Sequence, residues 1–270
     1  MKIYSTPSGV TVRAEKRWFR ARDFSFDQLF RESEPVAWLR SRLEENGIAA
    51  SGNCHPPLEG QEVWAAGVTY YRSREARMEE SQREADIYDR VYQAERPELF
   101  FKATPHRVVG HGGEVRIRED SQWNVPEAEL ALAVNREGRV FGYTIGNDMS
   151  SRSIEGDNPL YLPQAKIYDG SCALGPCLLL SEDPLPPSTE ISLRILRRNA
   201  EVFRGATRLC QIKRTPEELV GYLFRDNSFP NGCYLLTGTG IVPESNFTLA
   251  SGDEIEITID PIGTLTNRVH

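Results

Sequence analysis

The chain has 270 residues, of which 39% are hydrophobic and 26% are charged, and its formal net charge is −7. That length allows either one large core or a main domain with a small appendage, and we favour the second arrangement. The negative charge argues against a nucleic-acid partner, because phosphate binding needs a concentrated basic surface. No apolar run approaches the length of a membrane span, so we expect a small-molecule ligand and no membrane association.

Neither the N-terminus nor the cysteines point to export. The opening "MKIYSTPSGVTVRAEK" lacks an apolar signal core. The cysteines are Cys54, Cys172, Cys177, Cys210 and Cys233, an odd set without CxxC spacing. Such a set is typical of a reducing compartment rather than of a disulfide framework or a zinc site. We therefore expect a cytoplasmic protein in which all five cysteines are buried as small apolar residues.

The first part of the chain predicts a small α/β domain over residues 1–58. A strand pattern in "GVTVRAE" is followed by helical text in "FSFDQLF" and "EPVAWLRSRLEENG". In the second helix, apolar residues recur at helical spacing from Val36 to Leu43, and Gly47 is placed to end it. The turn formers of "SGNCHPPLEG" then predict a linker to the main domain, residues 59–270.

The main domain is predicted to be mainly β. Short segments separated by Gly, Pro and Asn turns predict strands in "FFKAT", "AELALAVN", "RVFGYTIG", "CALGPCLLL", "EISLRIL" and "DEIEITID". One late helix is predicted in "TPEELVGYLFRD", with Thr215 as N-cap and Glu218 completing a capping box. Residues 74–95 form a charged stretch that is either a solvated surface helix or a lid over bound substrate.

Two glutamates interrupt the apolar run "PEAELALAVN". Because a strand points successive side chains to opposite faces, Glu127 and Glu129 share one face with the alanines that follow, while the leucines line the other. The turn "NREG" leads into a second strand that ends in "NDMSSR", so antiparallel pairing returns Asp148 to the glutamate end. Three oxygen ligands without His or Cys suit a hard divalent cation, Mg²⁺ first, with Mn²⁺ or Ca²⁺ as alternatives.

The alternative is a set of solvated surface acids, and the chain supplies its own comparison. Glu254 and Glu256 in "DEIEITID" repeat the same spacing, and there we expect an exposed face without chemistry. The first pair differs in its neighbourhood, because residues 147–176 lack periodic pattern and long irregular segments inside compact domains are often functional. That segment contains Lys166, which neutralises the carboxylates, binds an anionic substrate or lies on the surface.

These segments resemble the fumarylacetoacetate hydrolase superfamily. The matching pieces cover most of residues 61–270 in family order: "GVTYYRS", "PELFFKAT", "PEAELALAVNREGRVFGYTIGNDMSSR", "QAKIYDGSCALGPCLLL", "LLTGTG" and "GDEIEITIDPIGTLTNRV". The resemblance implies a mixed β-sandwich roll, Mg²⁺ held by Glu127, Glu129 and Asp148, and assembly as a homodimer or homotetramer. It also implies a substrate whose 2-oxo acid or β-diketone group chelates the metal.

Within the superfamily, "IEGDNPLYLPQAK", "SCALGP" and "PELFFK" are most similar to the dehydratases of 2-keto-3-deoxy sugar acids. That branch implies conversion of a 2-keto-3-deoxypentonate, such as 2-keto-3-deoxy-D-arabinonate, to 2,5-dioxopentanoate. Superfamily hydrolases place a His and a Glu after "GVTYY" to activate water, and residues 71–97 contain no histidine. Residues 69–72 offer no Asp as a fourth metal ligand, and Glu155 stands where many members carry glutamine.

Dehydration needs a proton removed beside the ketone and a hydroxyl expelled from the next carbon, but no attacking water. By resemblance we expect Glu98 as the base, and Lys166 as the opposing group that binds substrate or handles a proton. A glutamate serves as base only if it reaches the substrate carbon. Glu98 equally fits a plain strand start beside Pro97, and the two interpretations are open.

The resemblance also implies substrate contacts. Thr239 of "TGTG" is expected to contact the substrate carboxylate, and Ser73, Arg77 and Arg152 are expected to contact its hydroxyl or carboxylate groups.

Two other functions are open. One is another 2-oxo acid or diketone enzyme of the superfamily, namely a hydrolase, isomerase or decarboxylase, and the other is a catalytically silent binding protein that keeps the fold. The intact acidic trio and Lys166 count against the silent protein.

Overall fold

The computed structural model describes residues 1–45, 47–70, 90–181 and 183–270. Its strands are β1 (Lys2–Thr6), β2 (Gly9–Ala14), β3 (Arg17–Ala21), β4 (Leu43–Glu44), β5 (Glu62–Gly67), β6 (Glu98–Ala103), β7 (Val108–Val109), β8 (Glu114–Val115), β9 (Asn124–Val134), β10 (Val140–Ser151), β11 (Cys172–Leu180), β12 (Glu190–Arg197), β13 (Ala200–Arg208), β14 (Cys233–Leu236), β15 (Glu254–Ile259) and β16 (Gly263–Val269). Its helices are α1 (Phe26–Arg31), α2 (Pro35–Arg40), α3 (Arg152–Asp157), α4 (Leu162–Lys166) and α5 (Pro216–Leu223). The chain is mainly β, as predicted.

Two mixed sheets organise these strands. The larger runs in the order β4-β3-β2-β1-β11-β10-β9-β14-β5-β6, with β7 paired to β11, and the smaller runs β13-β12-β15-β16-β8. Neighbours are antiparallel except for the parallel pairs β14 with β5, β7 with β11 and β8 with β16. Because β1 pairs with β11, the N-terminal strands extend the sheet that carries the main domain. The division at residue 58 stays a prediction.

Hydrophobic cores lie on both faces of the larger sheet. The inter-sheet core includes Leu130 and Leu132 of β9 with Ile257 of β15. The helix-side core includes Ala131 and Ala133 of β9 with apolar residues of α1 and α2. Every residue of β9 is buried, because both of its faces are covered. Any charged side chain on this strand is therefore removed from water.

The second predicted helix is wrong beyond its first turns. α2 ends at Arg40, and Leu43 instead pairs with Ala21 where β4 joins β3. Gly47 does not cap a helix, because α2 has already ended at Arg40. It lies instead against β3, where an added Cβ atom would lie 2.3 Å from the backbone carbonyl carbon of Phe19. Strand pairing at the sheet edge thus overrides the helical spacing of the apolar residues.

The segment 147–176 is more regular than predicted. β10 continues to Ser151, and α3, a 3-10 turn and α4 follow it. Ser151 Oγ caps α3 by accepting a hydrogen bond from Ile154 N at 3.4 Å. Asn158 Oδ1 caps the next turn by accepting one from Leu160 N at 2.9 Å. Helices of five or six residues are too short to leave a periodic apolar pattern in the sequence.

The late helix begins as predicted. Thr215 Oγ1 caps α5 by accepting a hydrogen bond from Glu218 N at 3.2 Å. The Glu218 carboxylate does not close the capping box, because it accepts from Arg214 at 2.5 Å instead.

The prediction that all five cysteines are buried is wrong for Cys210, which is exposed in the 3-10 turn after β13. In the part of the chain that the structure describes, no helix is long and apolar enough to cross a membrane.

Candidate active site

Strand pairing brings the three predicted carboxylates together. In the antiparallel ladder between β9 and β10, Asp148 faces Glu127 and Gly146 faces Glu129. Each acid offers an oxygen, and these atoms all lie within 4.8 Å of one another. None of the three residues is more than 5% exposed. The hairpin pattern in the sequence predicts this convergence.

The second pair of glutamates contrasts with the first. Glu254 is exposed, and Glu256 is half-buried in an ion pair with Arg194 at 2.5 Å. Along β15 only alternate residues are buried, whereas β9 is buried throughout. The same spacing therefore produces a solvated strand face in one sheet and a cluster of buried charges in the other.

Two buried cations bind the carboxylates. Lys166, the last residue of α4, donates from Nζ to Glu127 Oε2 at 2.6 Å and to Asp148 Oδ2 at 3.0 Å. The same Nζ donates to Ser150 Oγ at 2.6 Å. Arg152, the first residue of α3, donates from Nη2 to Glu127 Oε1 at 2.7 Å. Both cations come from the segment after β10, so the chain that supplies Asp148 also supplies its counter-charges.

Sequence reasoning misses a third cation. Lys102 on β6 is fully buried, and its Nζ lies 2.5 Å from Asp148 Oδ1. It also donates to the carbonyl oxygens of Met149, at 3.0 Å, and Lys166. These contacts tie β6 to β10 and α4, so Lys102 holds Asp148 in place. The available signal was a lysine inside the apolar run "FFKA", because a fully buried lysine nearly always has a partner.

Replacing Lys102 with methionine is expected to lower the free energy of unfolding by about 3 kcal/mol, because losing one partner of a buried ion pair leaves the other poorly compensated. Methionine retains most of the side-chain length. Urea denaturation of the metal-free protein measures the difference. The control is Lys16→Met, an exposed lysine, which should change the value by less than about 0.5 kcal/mol. Equal urea midpoints for Lys102→Met and Lys16→Met would contradict the stabilising ion pair between Lys102 and Asp148.

Without a bound metal ion, the three carboxylates repel one another despite the contacts of Glu127 and Asp148 with Lys166. The pKa of Glu129 is raised well above its ordinary value of 4.5, first by burial and then by the charges of Asp148 and Glu127. A hydrogen bond from Gly238 N to Glu129 Oε2 at 2.6 Å favours the charged form and offsets part of this effect. Three converging oxygen donors, with no nitrogen or sulfur donor among them, fit Mg²⁺ or a similar hard ion.

A small pocket opens onto these carboxylates. β6 contributes Glu98 and Phe100 to its wall, α3 contributes Arg152 and Glu155, and Thr239 lines it after β14. Glu98 and Thr239, which the resemblance singles out, thus share one cavity with the acidic trio. Arg152 reaches the same cavity, and one of its partners there is a carboxylate of the trio.

Glu98 is held close to the backbone of the neighbouring strand. It pairs with Gly67 across β5 and β6, and a Cβ atom on Gly67 would lie 2.1 Å from Glu98 Oε2. The carboxylate therefore occupies space that only a glycine leaves open. Thr239 Oγ1 accepts from Ile241 N at 3.1 Å, which fixes its side chain at the pocket. The predicted contacts Ser73 and Arg77, and most of the predicted lid, lie outside the described residues.

Comparison with known proteins finds one family and several enzymes to which this chain is similar. Residues 63–270 match the family model described as "Fumarylacetoacetate (FAA) hydrolase C-terminal". A Haloferax volcanii protein named "Probable 2-keto-3-deoxyxylonate dehydratase" is 50% identical over 214 residues, covering 79% of this chain and 73% of that protein. The 2-dehydro-3-deoxy-D-arabinonate dehydratase of Saccharolobus solfataricus is 46% identical over 217 residues, with the same coverage of both chains.

A solved structure extends the similarity to the whole fold. It is described as 2-keto-3-deoxy-D-arabinonate dehydratase complexed with magnesium and 2,5-dioxopentanoate. Its sequence is 35% identical, and it superposes with a TM-score of 0.84 over 100% of this chain and 98% of that chain. The similarity therefore includes the N-terminal strands that the family model leaves out.

Proposed function

This chain belongs to the fumarylacetoacetate hydrolase family, and we propose that it is a Mg²⁺-dependent dehydratase that converts a 2-keto-3-deoxypentonate to 2,5-dioxopentanoate. The observation that carries this proposal is the buried acidic trio, which opens into one pocket with Glu98 and Lys166. That pocket combines a place for a divalent ion with the carboxylate of Glu98 and with the ammonium group of Lys166, which donates to Glu127 and Asp148. Elimination of water from a 2-oxo acid needs these elements and no activated water.

Roles for individual residues follow from their positions. Glu127, Glu129 and Asp148 would hold the metal ion, which when bound withdraws electron density from the substrate keto group. Glu98 removes a proton from C3, the electron pair of that C–H bond forms the C3=C4 double bond, and the C4–O bond breaks. The hydroxyl leaves as water by taking up one proton, which the proton now held by Glu98 balances. Tautomerisation then places the second carbonyl at C5. Lys166 hydrogen-bonds the substrate beside the carboxylates, where its positive charge offsets the charge that develops on the keto oxygen.

Other contacts fix the substrate carboxylate and hydroxyls. We propose that Thr239 binds the carboxylate, since it lines the pocket beside Gly238, whose backbone N binds Glu129. Arg152 is proposed to act on substrate only while it also holds Glu127, its partner in the structure. Ser73 and Arg77 stay predicted substrate contacts from the resemblance.

A direct assay tests the function. The purified protein, incubated with 2-keto-3-deoxy-D-arabinonate and Mg²⁺, is expected to form 2,5-dioxopentanoate, identified by mass spectrometry. Chelation with EDTA should stop the reaction, and added Mg²⁺ should restore it. A protein that binds Mg²⁺ but forms no dioxopentanoate would defeat the proposal and favour another 2-oxo acid reaction of the family.

Replacing Gly67 with alanine is expected to reduce turnover by about a hundredfold, because a misplaced catalytic group costs roughly that much. The added methyl group displaces the Glu98 carboxylate, because its Cβ would lie 2.1 Å from Glu98 Oε2. The unfolding temperature and the affinity for Mg²⁺ should change little, since the acidic trio is not touched. The control is Gly156→Ala, where an added Cβ meets open space. Equal turnover in both variants would contradict the placement of Glu98.

We also propose that the protein is cytoplasmic and assembles as a homodimer or homotetramer. The resemblance supports the assembly, and the five unpaired cysteines support a reducing compartment. Size-exclusion chromatography with light scattering measures the mass of the assembly. A monomeric mass at micromolar concentration would contradict the proposed assembly without affecting the assignment of the active site.

A further inference from the structure

Strand β6, at the edge of the larger sheet, directs alternate side chains toward the acidic trio. Residues two apart on a strand point to the same face, so Glu98, Phe100 and Lys102 share one side of β6. Glu98 and Phe100 line the pocket, whereas Lys102 lies further along the strand and is completely buried. The proposed base and this buried lysine therefore belong to one strand.

The ammonium group of Lys102 joins β6 to the two segments that supply the other functional groups. Its Nζ lies 2.5 Å from Asp148 Oδ1 and donates to the carbonyl oxygen of Met149 at 3.0 Å, both on β10. It also donates to the carbonyl oxygen of Lys166, the last residue of α4. The centre of the Phe100 ring lies 5.6 Å from Lys166 Nζ. β6 thus contacts Lys166 at its backbone through Lys102 and at its ammonium group through Phe100.

Asp148 and Lys166 depend on Lys102 to different degrees. Asp148 lies in the middle of the sheet, because β10 pairs with β9 on one side and with β11 on the other. α4 has only five residues, and the carbonyl group of its last residue has no acceptor role within the helix. A charged donor forms a stronger hydrogen bond to such a carbonyl than a neutral donor does. Loss of Lys102 is therefore expected to move the end of α4 more than it moves Asp148.

The ammonium end of Lys166 is held mainly by the trio itself. Its Nζ donates to Glu127 and Asp148 as well as to Ser150. Both carboxylates are proposed ligands of the metal ion, whose positive charge opposes their contacts with a second cation. The backbone contact from Lys102 therefore matters most in the metal-loaded protein, where the ammonium group has to meet the substrate.

We propose that Lys102 is a positioning residue that holds the end of α4 and so places the Lys166 ammonium group beside the bound substrate. The proposal rests on the proposed function, because that function assigns to Lys166 a hydrogen bond to the substrate. Lys102 is fully buried and is not among the described residues that line the pocket. It therefore acts through Lys166 and takes no part in proton transfer.

The charge of Lys102 has the opposite effect on the metal ion. A cation 2.5 Å from Asp148 Oδ1 repels a divalent ion bound by the same carboxylate, and burial leaves that repulsion poorly screened. Removal of the charge should therefore leave Mg²⁺ binding as tight as in the wild type, or tighter. A residue that only kept the acidic trio in shape would show the reverse, because its loss would weaken Mg²⁺ binding.

Calorimetry with Mg²⁺, and then with 2-oxopentanoate, separates these effects. Lys102→Met is expected to bind Mg²⁺ at least as tightly as the wild type. The Mg²⁺-loaded variant should bind 2-oxopentanoate about tenfold more weakly, the factor expected for one hydrogen bond to a charged group. Lys16→Met, which removes an exposed lysine, should keep both affinities. So should Leu39→Ala, a truncation of a fully buried side chain in α2 that lowers stability away from the pocket.

A double-mutant cycle tests whether Lys102 acts through Lys166. In the Mg²⁺-loaded protein, Lys166→Met is expected to weaken 2-oxopentanoate binding at least about tenfold, and adding Lys102→Met should weaken it no more than about twofold further. Independent roles would instead multiply the two effects and would overturn the proposal. A Lys166→Met variant with wild-type affinity for 2-oxopentanoate would overturn it as well.

The single variant keeps the proposal testable even if the double variant does not fold. Unchanged affinity of Lys102→Met for 2-oxopentanoate, or weaker binding of Mg²⁺, would each contradict the positioning role. Failure of the proposed function is recognised separately, because it appears as absence of 2,5-dioxopentanoate in the turnover assay of the wild type. The affinities of all these variants are measured without turnover.

Discussion

Replacing Glu129 with glutamine is expected to lower turnover by about a thousandfold and to stabilise the metal-free protein. Metal catalysis contributes several kcal/mol to such a reaction, and about 4 kcal/mol corresponds to three powers of ten in rate. Glutamine keeps the shape of the side chain and can still accept the hydrogen bond from Gly238 N, but it is a neutral ligand for a hard cation. The same change removes one of three buried like charges, so function and stability move in opposite directions.

The stability effect depends on pH with a defined sign. Because the pKa of Glu129 is raised above 4.5 in the folded, metal-free protein, the folded state holds this proton more tightly than the unfolded chain does. The contribution of Glu129 is therefore most favourable below the unfolded pKa and is lost as the pH rises through the folded pKa. In EDTA, the unfolding temperatures of the wild type and Glu129→Gln should agree near pH 4.5, and the variant should be higher at pH 8.

Thermal unfolding with and without Mg²⁺ completes this test. A ligand that binds only the folded state raises the unfolding temperature, so Mg²⁺ should stabilise the wild type and have little effect on Glu129→Gln. Glu254→Gln is the matched control, since it has the same ExE spacing on an exposed strand face and should keep both turnover and the response to Mg²⁺. If Glu129→Gln kept both, the acidic trio would not be the metal site.

The acidic trio could be predicted because its geometry is local. A spacing of two fixes which face of a strand a side chain occupies, and the short "NREG" connection makes the next strand run back antiparallel. Together these return Asp148 to the glutamate end of β9. Its pairing with Glu127 also depends on a register shift between Val140 and Gly142, which the sequence does not reveal. The alternation of alanine with leucine also indicates two covered faces, which separates this pair of glutamates from Glu254 and Glu256.

The remaining parts of the site depend on contacts between segments distant in sequence. Lys102 lies on an edge strand of the sheet, where a lysine commonly faces water, and it is buried because α4 and β10 cover that face. Glu155 looks like an ordinary polar helix residue until the helix is seen to line the pocket. The prediction of a helix at Leu43 is wrong for the same reason, because its strand partner Ala21 belongs to a separate hairpin.

Replacing Glu98 with glutamine is expected to reduce turnover by about 10² to 10⁴-fold, the usual contribution of a positioned general base. The amide fills the same space beside Gly67 but cannot accept the C3 proton. Mg²⁺ affinity and binding of 2-oxopentanoate should stay near wild-type values, because Glu98 is not one of the clustered acids. NMR in D₂O measures exchange of the C3 hydrogens together with the dehydration rate, and both should fall in parallel.

Glu190→Gln is the control for this experiment, because Glu190 is exposed on β12 of the smaller sheet and loses the same charge. It should keep the wild-type rate of exchange and dehydration. Gly67→Ala adds a graded comparison, because it displaces the Glu98 carboxylate without removing it. Its rates of C3 exchange and dehydration should lie between those of the wild type and Glu98→Gln. If Glu98→Gln stopped dehydration while C3 exchange continued, another group would remove the proton. Glu98 would then act on the departing hydroxyl, and Lys166 would become the next residue to test as the base.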